Sequence, residues 1–205
     1  MNILDARSSA RPWAFPIFLM VAGALGWFAA FELVVSKFEL LENPQIDLAC
    51  DYSVLVQCGK NLDSWQGRLF GFPNPLLGLA GFIAPISVGM GLIAGARYAR
   101  WFWITFNLGL AGALGFVIWL ISQSIYNLGT LCPWCIVVWT VTIPLFWAVT
   151  ARNLALGVYG TSLRRLGFWV KNLVVTITIV CYAVIVLLAQ LELNALMRLK
   201  IVTFA

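Results

Sequence analysis

SQSIYNLGTLCPWC, residues 122–135, is the stretch that decides the fold. It lies in the middle of a charge-free run, residues 101–151, that is more than twice as long as one membrane crossing. A helix needs only about 20 apolar residues to cross the hydrocarbon core. Because the quoted stretch is polar and contains Gly129 and Pro133, it predicts a hairpin between two membrane spans.

The composition of the whole chain favours lipid as its solvent. Of 205 residues, 62% are hydrophobic, 10% are charged and none is histidine, whereas soluble proteins carry charge on about a quarter of their residues. The sequence predicts an all-α membrane protein, with a four-helix transmembrane bundle in residues 1–151 and a fifth transmembrane helix in residues 152–205. The predicted spans are residues 13–34, 74–96, 101–124, 132–151 and 172–191.

Basic residues indicate the orientation, because they occur in the short connections and fall on one side if the spans alternate. They are Arg7, Arg11, Arg97, Arg100, Arg152, Arg164, Arg165 and Lys171. Since Lys and Arg are enriched in cytoplasmic loops, we predict a multi-pass protein of the bacterial cytoplasmic membrane with a cytoplasmic N-terminus. The net charge of +5 is divided among these clusters, so no nucleic-acid partner is expected.

The connection between the first two spans, residues 35–73, is predicted to lie on the extracytoplasmic side with the hairpin. It contains CDYSVLVQC, in which Cys50 and Cys58 form a second pair of cysteines. Ser64 is expected to cap a short helix, and the apolar residues that follow it are expected to place that helix in the membrane interface.

Cys132 and Cys135 are predicted to begin the fourth span. Pro133 suits the first position of a helix because it has no N–H to leave unpaired. This places Cys132 at the N-cap and Cys135 in the first turn, where free N–H groups and the helix dipole favour thiolates. Thiolates attack disulfides in exchange reactions, and the extracytoplasmic side of bacteria is oxidising. We therefore predict a redox-active pair, with a static disulfide clip as the alternative.

Other interpretations of the cysteines and of the chain stay open. A static disulfide between Cys50 and Cys58 would staple the loop. A zinc site is disfavoured because structural zinc ligands usually come at closer spacing than CDYSVLVQC offers, so no metal is expected. A non-enzymatic membrane subunit is the alternative of another class, although the cores of the spans lack the ionisable residues of transport pathways.

The order of the motifs resembles the vitamin K epoxide reductase family, most of all its bacterial members, which oxidise thiols and reduce quinone. The motifs are the Cys50 and Cys58 pair, Ser64, FGFPNPLLGL at residues 70–79 and the CPWC motif. The resemblance covers about residues 13–150. In the disulfide bond protein B family the Cys-x-x-Cys motif precedes the loop pair, so that family is the runner-up.

The resemblance implies a role for each cysteine of the two pairs. Cys135 would lie beside a quinone of the menaquinone or ubiquinone class, and Cys132 would be its exchange partner. Cys58 would attack the disulfide between Cys132 and Cys135, and Cys50 would exchange with an outside protein.

Three further residues match positions linked to the family's active centre. Ser64 matches a serine of that centre, and Asn74 matches an asparagine that hydrogen-bonds the quinone. Helix capping is the alternative role for both side chains. Trp139 replaces the tyrosine of animal members. Because an indole N–H donates but cannot accept a hydrogen bond, the contact of Trp139 with quinone is expected to differ. Epoxide substrates and anticoagulant sensitivity are therefore not transferred from the family to this chain.

Some bacterial relatives continue from the fifth span into a thioredoxin-like domain, whereas this sequence stops at Ala205. We therefore expect a separate thioredoxin-fold partner in the extracytoplasmic space. The predicted function is a membrane thiol:quinone oxidoreductase that generates disulfides for this partner.

Overall fold

The computed structural model describes residues 13–193, and the named elements within that range are all helical, with one isolated β-bridge between Val56 and Leu131. Five helices are long and apolar enough to cross a membrane. They are α1 (Ala14–Glu42), α3 (Pro75–Ile93), α4 (Arg100–Ser122), α5 (Pro133–Ala155) and α6 (Arg164–Leu193). A short helix, α2 (Gly59–Asp63), and a 3₁₀ turn, Trp65–Arg68, lie between α1 and α3. The predicted all-α membrane fold is confirmed; Arg7, Arg11 and the tail beyond residue 193 lie outside the described residues.

Helix α1 continues to Glu42, beyond the predicted end of the first span at residue 34. The prediction used the absence of charge, which marks the part of a helix that lies in lipid but not its hydrogen-bonded length. The helix ends at Asn43, whose backbone is extended (φ −139°), because the following Pro44 disfavours the helical conformation for the residue before it. The connection to the next span therefore begins at Asn43 rather than at residue 35.

The predicted hairpin between the third and fourth spans is present. A π-helical segment, Gln123–Leu128, extends α4 and ends at Gly129, which adopts a left-handed conformation (φ 66°). Glycine adopts this conformation without the steric penalty that a Cβ atom would bring. Pro133 then occupies the first turn of α5, as the sequence predicts.

Small residues bring α1 and α3 into close contact. A Cβ atom on Gly23 would lie 2.7 Å from Cγ1 of Ile86, and a Cβ atom on Gly89 would lie 2.6 Å from Cγ of Met20. Neither position therefore has room for a side chain. Close approach of this kind lets membrane helices gain van der Waals contact where lipid removes most of the hydrophobic drive to associate.

Aromatic side chains surround Arg152 near the end of α5. Its guanidinium carbon lies 4.0 Å from the centre of the Trp103 ring and 5.1 Å from that of Phe15. Asn153 donates a hydrogen bond of 3.1 Å to the carbonyl of Trp103. We call this the arginine end of the bundle, and the opposite end of α5, at Cys132, the cysteine end.

The fifth span packs along α5 rather than standing apart from the bundle. The Tyr182 hydroxyl donates a hydrogen bond to the carbonyl of Thr140, and Ala189 is buried in one cluster with Trp139. The division of the chain into units at residue 151 stays a prediction.

Candidate active site

The first turn of α5 holds the Cys-x-x-Cys pair as the sequence predicts. Cys132 is the N-cap, and its Sγ accepts a hydrogen bond of 3.4 Å from the backbone N–H of Cys135. Both side chains are free thiols; Cys132 is buried and Cys135 is half-buried. The static clip is therefore not what the structure contains.

The loop pair is joined in a disulfide between Cys50 and Cys58. Cys58 is the N-cap of α2. The neighbouring Asp51 holds this turn, because its Oδ1 accepts hydrogen bonds from the N–H groups of Cys58 (2.6 Å) and Gly59 (3.2 Å). A carboxylate is favourable where a helix presents free N–H groups. Asp51 was missed by the sequence analysis, although its position directly after Cys50 was a local signal.

The two cysteine pairs meet at the cysteine end. The Sγ atom of Cys132 lies 3.4 Å from the Sγ atom of Cys58. Cys58 and Cys132 are fully buried, and Cys50 is only 4% exposed. A free thiol thus lies against one sulfur of a disulfide, which is the arrangement that thiol–disulfide exchange requires.

The pKa of the Cys132 thiol is lowered below its ordinary value, which favours the thiolate. Its hydrogen bond with the Cys135 side chain contributes most, and the backbone N–H groups of Cys135 and Trp134 contribute further. Burial of the thiol and the charge of Asp51 oppose this shift without reversing it. Because the thiolate is both the nucleophile and the leaving group of thiol–disulfide exchange, a stabilised Cys132 thiolate suits exchange with Cys58 in either direction.

Two backbone hydrogen bonds connect the segment before Cys58 with the segment before Cys132. The N–H of Leu131 donates to the carbonyl of Leu55 (2.8 Å), and the N–H of Gln57 donates to the carbonyl of Leu131 (3.1 Å). Cys58 and Cys132 follow directly in the chain. This parallel bridge therefore sets the distance between the two sulfur atoms.

A buried polar cluster adds a second connection between the same segments. Nδ2 of Asn61 donates to Oγ1 of Thr130 (2.9 Å), and the Ser124 hydroxyl donates to Oδ1 of Asn61 (3.3 Å). Ser124 and Thr130 are almost fully buried. The sequence analysis missed this cluster because its members are ordinary polar residues far apart in the chain.

A cavity of about 620 Å³ lies among the helices, and its walls are almost entirely apolar. Four of the predicted site residues line it: Ser64, Asn74, Cys135 and Trp139. Apolar walls with a few polar groups are typical of small-molecule sites. The structure thus brings one thiol of the α5 pair to the cavity and the other to the loop disulfide.

Asn74 precedes α3, but its side chain does not cap that helix. Its Nδ2 donates to the carbonyl of Gln66 (2.6 Å), and its Oδ1 accepts from the N–H of Leu69 (3.1 Å). The capping alternative is therefore wrong for the side chain of Asn74, because backbone groups of the neighbouring 3₁₀ turn and of the residue after it occupy its oxygen and one amide hydrogen. Nδ2 carries a second amide hydrogen, and Asn74 is one of the residues that line the cavity.

Ser64 does cap the 3₁₀ turn, as the capping alternative predicts. Its hydroxyl accepts a hydrogen bond from the N–H of Gly67 (3.2 Å) and donates one to the carbonyl of Asn61 (2.7 Å). The predicted short helix after Ser64 is therefore this 3₁₀ turn, whereas α2, which precedes Ser64, was not predicted. The catalytic role that the family resemblance implies for Ser64 stays a prediction.

Trp139 is 4% exposed and forms part of the cavity wall. It packs in one cluster with Ala189 of α6, and half-buried Cys135 contacts the same cluster. Its predicted contact with a ligand stays a prediction.

One group of side chains has the distances of a metal site. The ligand atoms of Cys50, Asp51 and Cys58 lie within 4.8 Å of one another. The two sulfur atoms are bonded to each other in the structure, whereas metal binding requires thiolates. In this redox state the group therefore does not offer a thiolate ligand set.

Comparison with known proteins agrees with this site. The sequence model of the vitamin K epoxide reductase family matches residues 17–150, which include both cysteine pairs and all the residues that line the cavity. The match favours this family over the disulfide bond protein B family. Comparison with curated proteins gave no match. The chain therefore belongs to the vitamin K epoxide reductase family, and this membership indicates a membrane redox enzyme.

Proposed function

We propose that this protein is a membrane thiol:quinone oxidoreductase that generates disulfides for a thioredoxin-fold partner in the extracytoplasmic space. One observation supports this most. The Sγ atoms of Cys132 and Cys58 are 3.4 Å apart, while Cys135 lines the apolar cavity. The α5 pair therefore contacts both the loop disulfide and a space suited to a lipid-soluble acceptor.

The first exchange takes place between the partner and the loop disulfide. A thiolate of the reduced partner attacks the sulfur of Cys50, forms a mixed disulfide and releases the Cys58 thiolate. The partner's second thiol then attacks its own sulfur in the mixed disulfide and releases Cys50. The partner leaves oxidised, and the loop pair has gained two electrons.

The second exchange transfers these electrons to the α5 pair. The Cys58 thiolate attacks Cys132 of the disulfide between Cys132 and Cys135, and Cys135 leaves as a thiolate. Cys50 then attacks Cys58, which re-forms the loop disulfide and releases Cys132. The pairing in the structure, with the loop oxidised and the α5 pair reduced, corresponds to the end of this step.

The final step passes two electrons from the α5 pair to quinone, and the disulfide between Cys132 and Cys135 re-forms. A quinone accepts two electrons and two protons and leaves as quinol. Cys135 is the thiol at the cavity wall, and Asn74 keeps one amide hydrogen for a carbonyl oxygen. The apolar walls exclude water from the reaction.

The charges of the two ends support the proposed orientation. Arg100 and Arg152 lie at the arginine end, where α4 begins and α5 ends. Because basic residues are retained on the cytoplasmic side, these charges support an extracytoplasmic position for the cysteine end, where a thioredoxin-fold partner would have access to it.

The test is a coupled assay of the purified full chain with quinone and a reduced thioredoxin-fold protein. We expect one quinol for each disulfide formed. Replacement of Cys58, Cys132 or Cys135 by Ser is expected to lower the rate at least about a thousandfold, as loss of a catalytic nucleophile does. Cys181→Ser, on half-buried Cys181 of α6, is the matched control and should keep the rate. Absence of thiol consumption by the unmodified chain would overturn the proposal.

A further inference from the structure

We infer that the fifth span is part of the redox machinery, because the last described turn of α6 positions Cys58 against Cys132. The inference rests on the proposed function, which explains why Cys58 and Cys132 exchange disulfides. The positioning itself is a property of the chain alone, and it is tested below without quinone and without a partner.

The contact is a small buried cluster at the cysteine end. Leu193, at the end of α6, is 5% exposed, and Leu55, in the loop before Cys58, is 3% exposed. The two side chains form one apolar cluster against which Val56 and Leu131 pack. The last turn of α6 therefore covers both the redox loop and the hairpin that precedes Cys132. We call these four residues the loop dock.

The loop dock acts on the backbone bridge that sets the sulfur distance. Leu55 and Leu131 are joined by a hydrogen bond of 2.8 Å, and Cys132 follows Leu131 directly. A bridge of two hydrogen bonds has little stability by itself in water. Burial of Leu55 under Leu193 supplies the apolar contact that holds the bridge closed.

Helix α6 is a firm support for the dock because it is held along α5. Ala189 and Leu193 are four residues apart and lie on one face of α6. Ala189 is buried against the Trp139 cluster, and the Tyr182 hydroxyl bonds the carbonyl of Thr140. Leu191, which is 66% exposed, lies on another face of α6.

The docked loop also hides its disulfide from outside thiols. Cys50 is 4% exposed and Cys58 is fully buried, in a cluster with Leu33 and Leu62, so an outside thiolate reaches them only when the loop moves out of this cluster. We expect the dock to hold the loop in that position. Weakening the dock should therefore have opposite effects on two reactions. Exchange of Cys58 with Cys132 should fall, and reduction of the loop disulfide by a soluble reductant should rise. If the dock acted only by stabilising the fold, two variants of equal stability would not differ in the exchange of Cys58 with Cys132.

The first experiment uses a Cys135→Ala background, in which the Cys132 thiolate attacks Cys58 and releases the Cys50 thiolate. Two disulfide isomers then interchange with no net oxidation: Cys50/Cys58 and Cys58/Cys132. Alkylation, digestion and mass spectrometry give their ratio. We expect Leu193→Ala and Leu55→Ala each to lower the Cys58/Cys132 share about tenfold, because a buried Leu→Ala change leaves a cavity. Leu193→Met, which nearly conserves the side-chain volume, should keep most of the Cys58/Cys132 share.

Two controls separate positioning from stability. Leu191→Ala should leave the isomer ratio unchanged. Trp103→Ala, which acts at the arginine end, should destabilise the protein and also leave the ratio unchanged. In the second experiment, a water-soluble phosphine should reduce the loop disulfide several-fold faster in Leu193→Ala than in Leu191→Ala.

The inference is overturned if Leu193→Ala has the same isomer ratio as Leu191→Ala, or if Trp103→Ala shifts the ratio as much as Leu193→Ala does. Failure of the proposed function is a separate result. If the ratio depends on Leu193 but the unmodified chain does not reduce quinone, the dock stands and the proposed function falls.

Discussion

The two ends of the helical bundle are stabilised by different interactions. At the arginine end, aromatic rings pack against one another and around Arg152; the ring centres of Tyr98 and Phe102 are 4.4 Å apart, and those of Trp103 and Phe106 are 6.1 Å apart. At the cysteine end, the loop is held by single hydrogen bonds and by two apolar clusters, one around the cysteines and a smaller one around Leu55. Packed aromatic rings suit an end that keeps the helices together, whereas separate hydrogen bonds and smaller side chains suit an end at which disulfide partners must change.

This contrast predicts that damage at the arginine end mainly affects stability. Trp103→Ala removes ring contacts with Phe15, Tyr98 and Phe106 and leaves the Arg152 guanidinium without its nearest ring. We expect the free energy of unfolding in detergent micelles to fall by about 3–4 kcal/mol, measured by denaturant titration. Its neighbour Trp101 is 68% exposed, so Trp101→Ala is the control. Equal destabilisation by the two changes would break the contrast.

A change at the cysteine end is expected to have a smaller effect on stability and a clear effect on exchange. Asn61→Ala removes the hydrogen bonds to Thr130 and from Ser124 and should cost about 1–2 kcal/mol. Because these bonds cross from the Cys58 segment to the Cys132 segment, the Cys58/Cys132 isomer in the Cys135→Ala background should also decrease. Asn43→Ala is the matched control, since its side chain accepts only an exposed local bond from Gln45. An unchanged isomer ratio in Asn61→Ala would contradict this role.

The smallest expected effect is a shift in a titration curve. The lowered pKa of Cys132 means that the fold stabilises its thiolate. The resulting contribution to the free energy of unfolding is fully present above pH 9.0, the ordinary pKa of the thiol. It is lost as the pH falls through the lowered pKa. Ultraviolet thiolate absorbance in a Cys181→Ser protein should show one inflection below pH 9.0. Cys135→Ala removes the largest cause and should move it upward. An unmoved inflection would show that Cys135 does not support the Cys132 thiolate.

Local chemistry explains which parts of the site were predictable. Cys132 and Cys135 were placed correctly because Pro133 and the ends of a charge-free run define a helix start within a few residues. Ser64 was placed correctly as a cap because a hydroxyl before a short helical turn accepts a hydrogen bond from a free backbone N–H. Asn74 has the same local signal, yet its side chain bonds Gln66 and Leu69 instead, since a folded neighbour competed with the helix end.

Contacts between distant segments were not predictable. Asn61 and Thr130 are each ordinary polar residues in the sequence, and only the fold makes them partners. The continuation of α1 to Glu42 was missed because charge marks where lipid ends and not where helical hydrogen bonding ends.

By itself, the sequence determined five membrane spans and two cysteine pairs near one end of them, because charge-free length and the alternation of spans are properties of the chain and its solvent. Only the tertiary structure decided that Cys132 faces Cys58 while Cys135 faces the cavity, and that Leu193 covers Leu55. These arrangements depend on packing between segments that are far apart in the chain, and no pattern within one segment encodes the partner that another segment supplies.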